Sequence, residues 1–146
     1  MPHPNRRHLI TIPLALALPR AFAHGEKAHM AGPVVKEQKP WGIAGDARDA
    51  KRTVEIRMTD DMKLSPNHLQ VVQGETLRLR AVNAGAVMHE IVIGTKDELA
   101  AHAEMMKKHP GMEHDEPYMA HVAAGQRGDI TWTFNRAGNF EFACLI

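Results

Sequence analysis

From about residue 50 onward the apolar positions alternate with polar ones, the period of a half-buried strand. Thr53-Val54-Glu55-Ile56-Arg57-Met58 and Thr76-Leu77-Arg78-Leu79-Arg80-Ala81-Val82 both show it. Leu69 to Val72 is a third short candidate, ended by the turn residue Gly74. Val87 to Ile93 is a mostly apolar run holding His89 and Glu90 inside it and closing on Gly94. Ile130 to Phe134 alternates again before the turn Asn135-Arg136-Ala137-Gly138, and Phe140, Phe142 and Cys144 then share one face of a last strand. Short strands separated by Gly, Pro and Asn turns predict an all-β, antiparallel sandwich or Greek-key barrel. A single stretch interrupts this pattern. Asp97 to about Lys108 reads as a short helical insertion, with Asp97 and Glu98 in its first turn and Lys107 and Lys108 near its end, matched to the helix dipole.

The N-terminal part follows different rules. Arg6, Arg7 and His8 precede the apolar run Leu9 to Leu18 and the small-x-small site Ala21-Phe22-Ala23, which predicts a secretory signal peptide over 1–23 and a mature chain starting at His24. Residues 24–49 carry Pro33, Pro40 and four glycines without a helical or strand period and read as a flexible arm. The domain itself is expected over 50–146, with a helical His/Met-rich insertion at 97–121. Export implies a periplasmic location and an oxidising surrounding.

Composition narrows the chemistry. The 146 residues suit a single domain, and 18 Lys+Arg against 17 Asp+Glu, with no block of like charge, exclude the basic footprint of a nucleic-acid binder. No apolar run reaches the length of a membrane span. A single cysteine permits neither an internal disulfide nor a multi-thiolate zinc site. Ten His and nine Met stand out instead.

The first chemical constellation is His89 within one strand and Cys144 at the end of another. Taken alone, such a histidine is ordinarily a hydrogen-bonded core residue and such a cysteine a small buried hydrophobe. Their surroundings say more. Asn83-Ala84-Gly85-Ala86-Val87-Met88-His89-Glu90 resembles the segment that brings the first copper-ligating histidine in plastocyanin- and azurin-like cupredoxins, and Gly138-Asn139-Phe140-Glu141-Phe142-Ala143-Cys144 resembles the strand delivering their cysteine. With Lys39-Pro40-Trp41-Gly42-Ile43-Ala44-Gly45 and Met112-Glu113-His114-Asp115-Glu116-Pro117, the chain is similar to the periplasmic cupredoxins associated with copper tolerance, over about residues 39–146. The resemblance implies a Greek-key β-sandwich that binds copper without being an enzyme, with His89 as the upstream imidazole ligand and Cys144 as the thiolate of a type 1 centre. It also exposes a departure: the family's second His, its axial Met and its last strand follow the cysteine, whereas this sequence ends at Ile146. The domain is therefore expected to be C-terminally incomplete, with its final strand missing, an edge left unpaired and no intense thiolate-to-copper absorption in the 146-residue form.

A second constellation lies in the insertion. His102, Met105, Met106 and His109 fall at i, i+3, i+4 and i+7, one helical face, and Met112, His114, Met119 and His121 follow, giving eight His/Met residues in 20 positions. Thioether and imidazole suit copper, so His102, Met105, Met106, His109, Met112 and His114 form a candidate secondary copper site, against the plain reading of flexible core methionines. A third feature is His24, whose amine and imidazole could together hold Cu(II), an arrangement that resembles the histidine brace of copper monooxygenases. No G-x-S-x-G elbow, H-E-x-x-H helix or phosphate-cradling glycine loop is present, and residue 93 is Ile where a zinc-protease motif starting at His89 needs a second His. Glu90 reads as a strand residue able to orient a neighbouring ligand. The sequence thus predicts a monomeric copper-binding protein acting in copper tolerance or sequestration, with an electron-transfer protein as the alternative and a copper-dependent oxidative enzyme using His24 as a remote one. Copper ions are the expected ligand, and a redox partner or copper-handling protein the expected contact.

Overall fold

The computed structural model describes residues 34–112 and 114–146. The signal peptide, the mature N-terminus and the first part of the arm lie outside the described residues.

Among the described residues, eight strands build two sheets, accompanied by one α-helix and a single 3-10 turn, Ala47–Asp49. The strands are β1 (Ile43–Ala44), β2 (Arg52–Thr59), β3 (Lys63–Ser65), β4 (Thr76–Asn83), β5 (His89–Gly94), β6 (Met119–Val122), β7 (Arg127–Thr133) and β8 (Glu141–Ala143), and helix α1 (Lys96–Lys108) sits between β5 and β6. One sheet has the order β1-β7-β4-β2-β3 and the other β6-β5-β8. The architecture is the β-sandwich with one helix that the alternation predicts. Its sheet is mixed, however, because β2 and β4 run parallel, Arg52 opposite Leu77 through Met58 opposite Asn83. The connection between them, residues 60 to 75, is long enough to cross over and return in the same direction. It contains only β3, and the apolar run Leu69 to Val72, expected as a strand, forms none: Leu69 and Val71 pack against the core from an irregular segment.

The alternation sorts the two sides of each strand as the period requires. Leu77, Leu79 and Ala81 of β4, Ile56 and Met58 of β2, and Ile130 and Trp132 of β7 point inward and are buried. Trp41 and Ala44 join them, and β1 pairs with β7 through Ile43 opposite Thr133. The stretch expected as an arm therefore belongs to the domain from about residue 39. Its signal was hidden because a two-residue strand shows no period. Trp41 stacks on Trp132 at 4.5 Å and meets Tyr118 edge-on at 5.2 Å. Gly42 makes the close approach possible: it holds φ +139, and a Cβ there would stand 2.2 Å from Trp132 Nε1.

Strand β5 is buried on both faces. Ile91 and Ile93 face the sandwich core, while Val92 turns the other way into a smaller cluster with Leu99 of α1 and Met119 of β6. Helix α1 is thus the lid on the outer face of β5 and β6. Its start is fixed by a capping box, Glu98 N–H donating to Thr95 Oγ1 at 3.3 Å and Thr95 N–H to Glu98 Oε2 at 2.9 Å. The same Glu98 Oε2 accepts from Trp41 Nε1 at 2.8 Å, which ties the lid to the core. Strand β8 is an edge strand, and beside it opens a groove of about 520 Å³ lined by Leu79, Ile93, Phe134, Phe140 and Phe142 among others.

Candidate metal centre

Antiparallel pairing of β5 with β8, Val92 opposite Ala143 and Ile93 opposite Phe142, carries the chain to Cys144 alongside the start of β5. Parity then decides the sides. Phe140 and Phe142 pack into the main core and Ala143 and Leu145 into the outer cluster, so Cys144 is directed to the core side, as His89 is. The result is that Cys144 Sγ stands 3.6 Å from His89 Nδ1 although the residues are 55 apart in sequence. His89 is 2% exposed.

Two further groups prepare this pair. The main-chain N–H of Glu90 donates to Cys144 Sγ at 3.4 Å, which fixes the sulfur beside the start of β5. Asp60, in the turn between β2 and β3, places Oδ1 3.0 Å from His89 Nε2. With Nε2–H donating to this carboxylate, Nδ1 keeps its lone pair free and facing the sulfur, which is the carboxylate–imidazole arrangement that orients metal ligands. Asp60 is itself held by Ala86 N–H, which donates to Oδ2 at 2.8 Å. That hydrogen bond first, and the one from His89 second, keep its carboxyl below the usual aspartate range.

The loop 84–88 that supports Asp60 is pinned by a buried amide. Asn83 Nδ2 donates to Val87 O at 2.7 Å and Val122 O at 2.8 Å, and its Oδ1 accepts from Gly85 N–H at 2.8 Å. Gly85 lies so close that a Cβ would meet Asp60 Oδ1 at 1.8 Å and His89 Nε2 at 3.1 Å. The motif residues Asn83 and Gly85 thereby acquire a physical task. Asp60 carried no sequence signal beyond an Asp-Asp turn, because its partner is 29 residues away.

The His/Met insertion is arranged differently from the helical-face expectation. Helix α1 ends at Lys108, and His109 is an exposed C-cap at φ −130, ψ 64, where Pro110 disfavours helical backbone. Its inward stripe is Leu99 and Met106, both buried, with His102 one turn beyond Leu99 and half-buried. Met105 and Met112 are half-buried. His102 is brought to His114, ring centroids 5.0 Å apart, and His114 to His121 at 6.1 Å. Of the proposed six, the ring contacts therefore join His102 and His114, and they add His121. His68 is exposed, and His24 lies outside the described residues.

Comparison with known proteins bears on the family and the fold. No protein-family model matches the chain. It is 46% identical over 123 residues to the copper-resistant cuproprotein CopI of Rubrivivax gelatinosus, covering 84% of this chain and 74% of that protein. The chain belongs to the CopI family. Its CopI relative in Vibrio cholerae is 27% identical over 97% of this chain and 90% of its own length. Among solved structures, the fold is that of blue copper proteins: dithionite-reduced auracyanin from Roseiflexus castenholzii superposes with a TM-score of 0.56 at 22% identity, over 66% of this chain and 86% of that one. Auracyanin B does so at 0.56 and 20% identity, over 71% and 83%. The fold is that of a cupredoxin.

Proposed function

We propose that this member of the CopI family is a periplasmic, non-enzymatic copper-binding protein that protects against copper by holding the ion at His89 and Cys144. The observation that carries the reading is the 3.6 Å approach of Cys144 Sγ to His89 Nδ1. A thiolate about 2.3 Å and an imidazole nitrogen about 2.0 Å from one ion are separated by such a distance at an angle of roughly 113°. Thiolate with imidazole suits copper, and these are two of the three strong donors of a trigonal blue-copper centre. The copper-resistant relatives and the blue copper fold support the ion. Export is supported by the leader-like residues 1–23, and no helix among the described residues is long and apolar enough to cross a membrane.

The chain's own residues perform three tasks. Asp60 fixes the tautomer of His89, the Glu90 N–H positions the Cys144 sulfur, and burial of His89 removes solvent from one side of the pair. Bound copper supplies one-electron redox chemistry. Electron transfer is the second reading, favoured by the auracyanin-like fold and in need of a redox partner. Stoichiometry separates the two: more than one tightly held copper per chain fits tolerance, and one copper with fast reversible redox fits transfer.

The test is competition for Cu(I) against a chromophoric chelator, using the full chain as a monomer checked by light scattering. Cys144→Ser and His89→Gln are each expected to weaken retention at least tenfold. Unchanged retention in both variants overturns the reading.

A further inference from the structure

Glu90 follows the copper ligand His89 in β5, but its side chain leaves on the opposite face, beneath α1. It is 0% exposed. Antiparallel register puts it directly across from His121 of β6, which sets side chains at neighbouring positions on one face. His121 Nε2 stands 3.0 Å from Glu90 Oε2, and His102 Nε2, reaching down from α1, stands 3.5 Å from Glu90 Oε1. The His114 ring, from the segment leading into β6, lies between those of His102 and His121 at 5.0 and 6.1 Å. His102 and His121 are 12% and 14% exposed.

None of these polar atoms is satisfied by the protein. Both carboxylate oxygens of Glu90, Nε2 of His102, Nε2 of His121 and Nδ1 of His114 are buried without a hydrogen-bond partner. The short N···O separations therefore lack the in-plane N–H direction of a hydrogen bond. A buried carboxylate left so is costly, and buried charges are found paired or on a metal. The separations have a simpler meaning. Oxygen and nitrogen donors at about 2.0–2.2 Å from one ion, subtending about 90–110°, lie roughly 2.8–3.5 Å apart.

We propose that Glu90, His102, His114 and His121 form a second metal site, taking a divalent first-row transition ion through three imidazoles and one carboxylate. No three donors among the described residues already enclose a common point, so the last closure is left to ring rotation, chiefly of His114. Imidazole-rich ligation suits Cu(II) and Zn(II), and the affinity order places Cu(II) first. The site is built on the β5/β6 pair, with α1 closing it: Leu99, Val92 and Met119 pack beside it, and the capping box fixes the start of the helix whose middle carries His102. It shares no side-chain donor with His89 and Cys144, so the two centres stand or fall separately.

The experiment uses the full chain with Cys144→Ser, which removes the thiolate centre. One equivalent of Cu(II) is added, and electron spin echo modulation counts the imidazoles on the bound ion. Three imidazoles are expected, with none of the thiolate-to-copper absorption. His121→Asn and, separately, His102→Asn on that background are expected to lower Cu(II) affinity by at least about tenfold, with circular dichroism unchanged. His109→Asn, at the exposed C-cap, is expected to leave affinity as it was. A bound ion carrying one imidazole, or affinity unchanged by His121→Asn and His102→Asn, overturns the proposal and assigns the ion to other histidines. Should the histidine variants unfold, the imidazole count in Cys144→Ser alone decides. Three imidazoles there, together with no effect of Cys144→Ser on Cu(I) retention, would sink the thiolate centre and keep this one.

Discussion

Asn83→Ala tests whether the loop beside the candidate metal centre is held by one buried amide. Asn83 is 1% exposed and makes three hydrogen bonds, to Val87 O, Val122 O and from Gly85 N–H, at 2.7, 2.8 and 2.8 Å. Alanine removes all three at once. Val122 is 1% exposed, so its carbonyl loses its side-chain partner where water cannot readily replace it, a penalty of about 1–3 kcal/mol. Val87 is 56% exposed and Gly85 half-buried, so their groups can recover water and each lost bond costs about 0.5–1.5 kcal/mol. The total is about 2–6 kcal/mol, and the middle of that range lowers Tm by roughly 15–25 °C in a domain of this size. Circular dichroism melts of the metal-free protein, with chelator present, measure it without the stabilisation that a bound ion adds. Asn83→Asp sharpens the test. It keeps the acceptor for Gly85 but turns a carboxylate oxygen toward two carbonyls, so it should be no better than alanine at neutral pH. A loss under about 1 kcal/mol for Asn83→Ala would refute the reasoning, because it would mean that water replaces the amide at no cost.

Asp60→Asn leaves one acceptor where Ala86 N–H and His89 Nε2 each need an oxygen, so Cu(I) affinity in chelator competition should fall about 10- to 100-fold with the fold intact; an unchanged affinity refutes the orienting role. Gly85→Ala places a Cβ 1.8 Å from Asp60 Oδ1, so it should displace Asp60 and weaken copper retention as much as Asp60→Asn does; wild-type retention would show that the approach is dispensable. Acid should loosen the metal-free protein through Asp60 and Glu98. For Glu98 burial pushes the carboxyl up, but the Thr95 N–H, the Thr95 hydroxyl and the Trp41 indole pull it below the usual 4.5. Both groups titrate lower when folded, so their stabilisation is full above the unfolded values of 3.8 and 4.5 and is lost as pH falls through the lower folded ones. Urea midpoints measured at falling pH should drop there in the wild type and less steeply in Glu98→Gln; parallel curves would remove Glu98 from the account.

How much of this was legible in the sequence depends on the range of the physics involved. Alternation in β2, β4 and β7 is local, since each strand's own residues decide which face is buried, and it predicted the sandwich. The helix was legible for the same reason, through its charged ends, and its capping box Thr95-Lys96-Asp97-Glu98 was there to be read as well. Pairing direction is not local. The parallel β2–β4 pair depends on where the 60–75 connection travels, and no residue in either strand encodes it. The two-residue β1 shows why period-based reading fails at short range: Trp41 and Ala44 are core because they meet Trp132 and its neighbours, 91 positions away.

The metal chemistry divides along the same line. His89 and Cys144, which the structure brings together, were singled out because their flanking segments resemble known ones, while Asp60, which contacts His89 Nε2, had no such flank. The insertion is the instructive case. A face at i, i+3, i+4 and i+7 presumes that the helix continues, but it stops before His109 and its inward stripe is set by Leu99 and Met106. The residues that converge are chosen by strand register instead. Glu90 opposes His121 because β5 and β6 pair antiparallel, His102 meets them because α1 covers that face, and alternation along β5 sends Glu90 away from His89. On the two proposals, one dipeptide, His89-Glu90, serves two separate sites on opposite faces of a single strand. Under those proposals a copper-handling protein gains from this geometry, because two ions would be held close together without sharing a side-chain donor, and each site could be altered by mutation while the other kept its ligands.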